Sequence, residues 1–182
     1  MHRRTVIIGT MAMLATTAVG CGQAVDRGDA TLPRVEFPVQ ERLPGPELVG
    51  TLLDGSRFDW APLRGNVVVA NFWASWCAPC RAETDDLEAV YRATREAGVA
   101  FLGINTRDGK DAASAFAQGR VTYPSLFDPP GRVALQFRDL PPNTIPATVI
   151  LDRKGRIAVV IRRAVVQSEL EQVVAQLATE RN

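Results

Sequence analysis

Two cysteines separated by two residues are the side chains in this sequence best suited to covalent chemistry. Cys77 and Cys80 enclose Ala78 and Pro79, directly after an apolar run and at the start of a predicted helix. A thiolate at a helix N-terminus is stabilised by free backbone N–H groups and by the positive end of the helix dipole, which lowers its pKa. The spacing predicts a dithiol that closes to a disulfide, with Cys77 as the exposed nucleophile and Cys80, one turn deeper, as the resolving thiol.

A permanent structural disulfide and half of a zinc site are the alternative uses of this pair. A disulfide that closes so short a loop restrains little chain, and zinc needs about four ligands. The sequence contains one histidine, His2, beside the initiator Met. A mature chain without histidine excludes Ser-His-Asp hydrolysis, a Cys-His nucleophile pair and histidine-bound zinc or copper. We therefore expect neither a metal nor another cofactor.

Residues 1–20 have the pattern of a secretory leader. Two arginines precede an uncharged stretch that is shorter than the roughly 20 residues that cross a bilayer as a helix. Small residues lead into Cys21 and resemble a bacterial lipoprotein signal, although Ala18 stands where leucine is usual. The resemblance implies removal of residues 1–20, acylation of Cys21 and a lipid anchor on the extracytoplasmic face of the bacterial cell membrane. Plain secretion with an unmodified Cys21 is the alternative.

The rest of the chain divides into a tether and one domain. Residues 21–45 are rich in Gly, Asp, Arg and Pro and lack a sustained apolar period, which predicts a flexible tether. An ordered extension is the alternative, because Val35, Phe37 and Val39 alternate over a short stretch. Residues 46–182 are long enough for one complete domain. Without its leader the chain is nearly neutral, so nucleic acid is not an expected partner.

The apolar pattern of this domain predicts an α/β fold. Asp54-Gly55 favours a β-hairpin near its start, and the uninterrupted apolar run Val67–Trp73 predicts a strand buried on both faces. A helix over Pro79–Ala97 and a strand over Val99–Ile104 complete a βαβ unit with parallel strands. A short helix, a short strand, a helical turn, an antiparallel hairpin and a closing helix are predicted over 111–118, 123–127, 132–137, 148–161 and 170–177.

The cysteine pair lies in a distinctive stretch that reads NFWASWCAPCRAE from Asn71 to Glu83. This stretch resembles the active-site motif of the TlpA/ResA-like thioredoxin-fold family, and the resemblance extends from about Pro46 to Leu177. It implies a thioredoxin fold with four helices, in which helices flank a central mixed β-sheet, together with an N-terminal β-hairpin and an inserted βα element.

The same resemblance implies roles for five residues around the pair. Pro146 matches a cis-proline that packs against the disulfide, and Ile145 before it offers its backbone to a substrate strand. Glu83 matches an acid that relays a proton to the buried cysteine, and a surface acid near the helix N-terminus is the alternative. Trp76 is implied to be an exposed platform for substrate, and Trp73 to pack beneath the disulfide.

A thiol-disulfide oxidoreductase is therefore the expected activity. The resemblance implies a reductase that acts on disulfides of partner proteins, such as apocytochrome c during cytochrome c maturation, with a membrane thiol carrier as electron donor. Asn71 replaces the buried Asp of ordinary thioredoxins. By resemblance, Asn71 and Glu83 favour a reductase over an oxidase. We expect a monomer.

Two other functions use the same fold. An oxidase that donates its disulfide to folding secreted proteins needs the same two cysteines, and the reduction potential decides between the two directions. A non-catalytic binding lipoprotein is the other alternative. Peroxidase activity is disfavoured because Ala74 lies where peroxiredoxins have a threonine. Copper delivery is disfavoured because the wider cysteine spacing and the histidine of copper carriers are missing.

Acylation of Cys21 predicts that Cys21→Ser releases the protein from membranes. Two acyl chains are sufficient for stable anchoring, and no polybasic segment follows Cys21 to replace them. Membrane fractionation and the intact mass of the exported protein measure the effect, with Cys77→Ser as a control that keeps the anchor. Unchanged partitioning and unchanged mass in Cys21→Ser would show that the lipoprotein interpretation is wrong.

Overall fold

A six-stranded mixed β-sheet forms the centre of the fold. The computed structural model describes residues 33–180, so the predicted leader, Cys21 and the first part of the predicted tether lie outside the described residues. The strands are β1 (Arg34–Glu36), β2 (Val49–Thr51), β3 (Arg57–Asp59), β4 (Val67–Trp73), β5 (Val99–Thr106), β6 (Ser125–Asp128), β7 (Ala147–Leu151) and β8 (Ile157–Ile161). The α-helices are α1 (Ala78–Thr94), α2 (Lys110–Ala117) and α3 (Gln167–Thr179).

The sheet has the order β1-β8-β7-β4-β5-β6, and β2 and β3 form a separate antiparallel hairpin. β4 pairs in parallel with β5 and antiparallel with β7. The C-terminal end of β4 therefore lies beside the C-terminal end of β5 and the N-terminal end of β7. This register brings the segment after β4 next to the segment before β7.

The alternation of side chains along β4 builds the core on both faces of the sheet. Val67 and Val69 pack with apolar residues of α1 and α3, whereas Val68, Ala70 and Phe72 pack with the β2–β3 hairpin and the segment before β7. Every residue of β4 is buried. Full burial of a valine or phenylalanine side chain contributes about 1.5–3 kcal/mol, so the strand is firmly held.

Helix α1 starts directly at the cysteine pair. Cys77 is its N-cap, and Pro79 occupies the first turn, where a missing N–H breaks no helical hydrogen bond. At the other end, a 3₁₀ turn leads to Gly98, which adopts a left-handed conformation at φ 79° and directs the chain into β5.

Residues 33–45 differ from the predicted tether. β1 pairs antiparallel with β8 at the edge of the sheet. The buried Arg42 side chain forms ion pairs with Asp152 (3.2 Å) and Glu180 (2.6 Å). The alternative of an ordered extension is therefore the one that the structure shows for these residues, and the folded part of the chain starts before Pro46.

The α/β thioredoxin-like fold is confirmed, with a mixed sheet, flanking helices and the hairpin near the N-terminus. α2 and β6 are inserted between the β4-α1-β5 unit and the β7-β8-α3 unit. The expectation of four α-helices is wrong for residues 33–180, which contain three. The helical turn predicted over 132–137 is present as a single 3₁₀ turn, Ala134–Gln136. Pro129-Pro130 and Pro141-Pro142 flank this segment and limit helix formation on both sides.

Within residues 33–180, no helix is long and apolar enough to cross a membrane.

Candidate active site

Cys77 and Cys80 form a disulfide at the N-terminus of α1, with their Cα atoms 5.3 Å apart. The backbone N–H of Cys80 donates to the Sγ atom of Cys77 at 3.3 Å. Cys77 is only slightly more accessible, since 5% of Cys77 and 2% of Cys80 are exposed. The order of accessibility agrees with the predicted roles, but Cys77 is largely buried in the disulfide form. The role of Cys77 as nucleophile and the role of Cys80 as resolving thiol remain predictions.

Trp73 forms the base of the site, as the resemblance implies. It packs in one cluster with both cysteines, Ala74 and Ala113. Its indole Nε1–H donates to the hydroxyl of Ser125 on β6 at 3.0 Å.

Gly103 on β5 makes room for this hydrogen bond. A Cβ atom at Gly103 would lie 2.6 Å from the Ser125 hydroxyl oxygen and 3.0 Å from the Trp73 Nε1 atom. Any larger residue would therefore displace one of the two partners. The sequence shows a glycine in an apolar strand, but not the indole and the hydroxyl that meet beside it.

The turn before Cys77 is held by the loop between β5 and α2. The carboxylate of Asp108 accepts the backbone N–H of Ser75 at 2.5 Å, its hydroxyl at 2.9 Å and the side-chain amide of Asn105 at 3.0 Å. Burial alone would raise the pKa of Asp108, but these hydrogen bonds outweigh it and hold the pKa below its usual value. The indole N–H of Trp76 donates to the carbonyl of Arg107 at 2.9 Å.

Asp108 is a positioning residue that the sequence analysis did not identify. It lies in a loop more than thirty positions from Ser75, and no local pattern connects the two. Trp76, as predicted, is exposed, with 57% of its surface accessible. A role in binding substrate stays a prediction.

Pro146 lies directly before β7 and follows a cis peptide bond from Ile145. The cis geometry agrees with the expectation from the resemblance. Ile145 packs against the cluster that contains the two cysteines. It also lies outside the β7 ladder, which begins at Ala147. The structure therefore brings Ile145 to the cysteine cluster, with Pro146 directly after it, and their roles toward substrate remain proposals.

Glu83 is buried on α1, three residues after Cys80, with 1% of the residue exposed. Its carboxylate accepts the side-chain amide of Asn71 and the backbone N–H of Val165, both at 2.8 Å. Asn71 also donates to the hydroxyl of Thr148 at 3.1 Å. Burial raises the pKa of Glu83 to about 7, although the two hydrogen bonds oppose the shift. The alternative of a surface acid is therefore wrong.

Residues 39–160 match the AhpC/TSA family, which covers about two thirds of the chain. The chain belongs to this family. Thiol-disulfide oxidoreductase ResA of Geobacillus kaustophilus is 28% identical over 69% of this chain and 71% of its own length. The thioredoxin-like protein YneN of Bacillus subtilis is 31% identical over 78% of this chain and 83% of its own length.

Among solved structures, a secreted thiol-disulfide isomerase of Corynebacterium glutamicum superposes with a TM-score of 0.80. It is 32% identical, and the alignment covers 84% of this chain and 96% of that one. The fold, the disulfide at the start of α1 and these relatives agree: this member of the AhpC/TSA family is a thiol-disulfide oxidoreductase of the ResA type.

The raised pKa of Glu83 predicts a pH-dependent stability. An acid whose pKa is raised in the folded state stabilises the fold below its ordinary pKa, and this stability is lost as the pH rises through the folded value. Relative to Glu83→Gln, the oxidised protein should lose about 3 kcal/mol of unfolding free energy between pH 4.5 and a pH well above 7. Urea unfolding across this range measures the difference.

Asp85→Asn removes an exposed acid from the same helix and is the matched control, for which no such trend is expected. A stability difference between the wild-type protein and Glu83→Gln that stays constant with pH would contradict the assignment.

Proposed function

We propose that this protein reduces disulfides of partner proteins outside the cytoplasm. The observation that carries the proposal is a disulfide at a helix N-terminus, with a cis-proline directly before the neighbouring strand β7. A buried acid lies three residues after Cys80 on the same helix, and burial raises its pKa to about 7. Relatives named ResA and a secreted thiol-disulfide isomerase support it. Apocytochrome c, reduced before haem attachment during cytochrome c maturation, is the substrate that the ResA resemblance favours.

The exchange needs only the two cysteines and a substrate disulfide. The Cys77 thiolate attacks one substrate sulfur, so that a mixed disulfide forms and the other substrate sulfur leaves as a thiolate. The Cys80 thiolate then attacks the Sγ atom of Cys77, which releases the second substrate sulfur and leaves the Cys77–Cys80 disulfide. Two electrons pass to the substrate. A membrane thiol carrier restores the dithiol by the reverse exchange.

Glu83 accepts the proton of Cys80 in this scheme. It follows Cys80 by three positions on α1, which places both side chains on the same side of the helix. With a pKa of about 7, the carboxylate gains and loses a proton readily at neutral pH. Asn71 and Val165 fix its orientation by donating to its two oxygens.

Pro146 and Ile145 provide the place where a substrate segment lies. The backbone of Ile145 is available to pair with an extended chain, because β7 begins two residues later. Trp76 offers an exposed aromatic face beside Cys77. A substrate strand that lies between them brings its disulfide to the Cys77 sulfur.

The protein acts from the extracytoplasmic face of the membrane in this proposal, with residues 1–20 removed and Cys21 lipidated. The leader-like pattern of residues 1–20 supports export. The secreted relative in Corynebacterium glutamicum supports the same compartment.

A reductase predicts a low reduction potential for the Cys77–Cys80 couple, on the order of −250 mV or lower. When the disulfide form is this stable, the dithiol form passes its electrons to protein disulfides in an oxidising compartment. Titration of the protein against glutathione or dithiothreitol redox buffers measures the potential. A value near about −120 mV, typical of strong oxidants, would reverse the direction and favour an oxidase for folding secreted proteins.

Proton transfer through Glu83 predicts a specific pH profile. In the wild-type protein, the rate of release of a mixed disulfide should rise through an inflection near pH 7, because the ionised carboxylate accepts the Cys80 proton. Glu83→Gln should lose this inflection and slow the step by at least about 10-fold. Stopped-flow kinetics of a mixed disulfide with a chromogenic thiol measure this release rate at each pH. Asp85→Asn is the control. The proton role is wrong if Glu83→Gln keeps the inflection.

A further inference from the structure

Three arginines have guanidinium groups over aromatic rings close to the cysteine pair. The Cζ atoms of Arg81 and Arg120 lie 4.7 Å and 5.4 Å from the ring centroid of Phe116. The Cζ atom of Arg107 lies 5.8 Å from the ring of Trp76. We call Arg81, Arg107 and Arg120 the arginine rim.

The two aromatic rings connect the arginine rim to the reactive sulfurs. Trp76 directly precedes Cys77, and Phe116 packs against the cluster that contains both cysteines. Arg81 follows Cys80 and also donates to the carbonyl of Ser75 at 3.2 Å. Positive charge therefore lies next to the surface that a substrate must approach.

Arg107 connects Trp76 with the segment before Pro146. Its guanidinium donates to the carbonyl of Asn143 at 3.2 Å, two residues before Ile145. Arg107 and Asn143 both have left-handed backbone conformations, at φ 52° and 67°, which few residues other than glycine adopt. This backbone directs the Arg107 carbonyl toward the Trp76 indole and its side chain toward the segment before Pro146.

The three arginines of the rim lack acidic partners among the described residues. None of its three guanidiniums forms an ion pair with a carboxylate of residues 33–180. Among the other arginines, Arg42 and Arg163 are ion-paired, whereas Arg153 is not paired within the part of the chain that the structure describes.

Asp108 and Asp111, which lie close to the rim in the sequence, do not form ion pairs with it. The oxygens of Asp108 accept hydrogen bonds from Ser75, Asn105 and Gly109. Asp111 in the first turn of α2 is adjacent to Lys110, which offsets its charge. The guanidinium groups of the rim therefore remain free to pair with an acidic group of a substrate.

A guanidinium that lies over an aromatic ring keeps N–H groups available at its edge, and Arg81 and Arg107 each use one nitrogen for a backbone carbonyl. Stacking uses the face of the planar group, and the edge matches the two oxygens of a carboxylate. The ring also restricts the side chain before substrate arrives, so less entropy is lost on binding. An acidic side chain is the ligand that this arrangement fits.

We propose that the arginine rim selects substrate segments that carry an acidic side chain beside the reactive cysteine, with Arg107 as the main determinant. This proposal rests on the thiol-disulfide exchange proposed above and adds its substrate class. Acidic segments associate faster, and basic segments are repelled from the same surface.

Three synthetic peptides test the proposal. Each contains one intramolecular disulfide, and they differ only in the residue that follows the second cysteine, which is Glu, Gln or Lys. The reduced protein should react fastest with the Glu peptide and slowest with the Lys peptide, with rate constants that differ by about 5-fold at low ionic strength. The ratio should fall toward unity in about 0.5 M NaCl, which screens exposed charges.

Variants assign the preference to the rim. Arg107→Gln should at least halve the Glu-to-Lys rate ratio, whereas Arg107→Lys should keep most of it. Arg153→Gln removes the same charge from an exposed arginine in the turn between β7 and β8, at the opposite end of the sheet, and should keep the full ratio. The ratio compares two peptides on one protein sample, so a partly misfolded variant does not distort it.

The outcomes separate this proposal from the one on which it rests. If no peptide is reduced, the proposed exchange itself is wrong. If all three peptides react equally fast in the wild-type protein, exchange is intact and the selectivity is wrong. A ratio that Arg153→Gln lowers as much as Arg107→Gln shows an effect of net charge and overturns the role of the rim.

Discussion

The position of β4 in the sheet is the constraint on which the rest of the structure depends. This strand is buried on both faces and paired along both edges, in parallel with β5 and antiparallel with β7. Its C-terminal end can therefore meet only the start of β7 and the end of β5. The disulfide follows β4, the cis-proline precedes β7, and Asp108 follows β5. Three segments that are far apart in the chain become one site because one strand lies between the other two.

The buried carboxylate of Glu83 adds a chemical constraint to this geometry. Charge inside an apolar interior is unfavourable unless hydrogen bonds compensate it. Two donors from β4 and from the segment before α3 provide part of that compensation, and the pKa settles near neutrality instead of its usual acidic value. Because Asn71 is uncharged, no second carboxylate on β4 competes with Glu83 for the proton.

Much of the fold follows from local patterns in the sequence. The apolar run from Val67 to Trp73 matches β4 residue for residue, and Gly98 ends the helical segment as expected. The cysteine pair and Glu83 were identified from their motif. β1 was harder to recognise because three residues carry little periodic signal, and its stability comes from pairing with a strand far along the chain. Asp108 and Arg107 were missed because hydrogen bonds and stacking across loops leave no spacing pattern.

The edge strand β1 has a consequence for how the domain is held near a membrane. Arg34 pairs with Ile161, Ile161 with Thr148 and Thr148 with Asn71, so the chain joins the sheet at the same end as the disulfide. Only about 12 residues separate Cys21 from that point, a reach of at most about 45 Å. With an anchor at Cys21, the disulfide would meet a membrane-bound thiol within a small volume next to the bilayer. The effective concentration of the disulfide near the bilayer would be high without any dedicated docking contact.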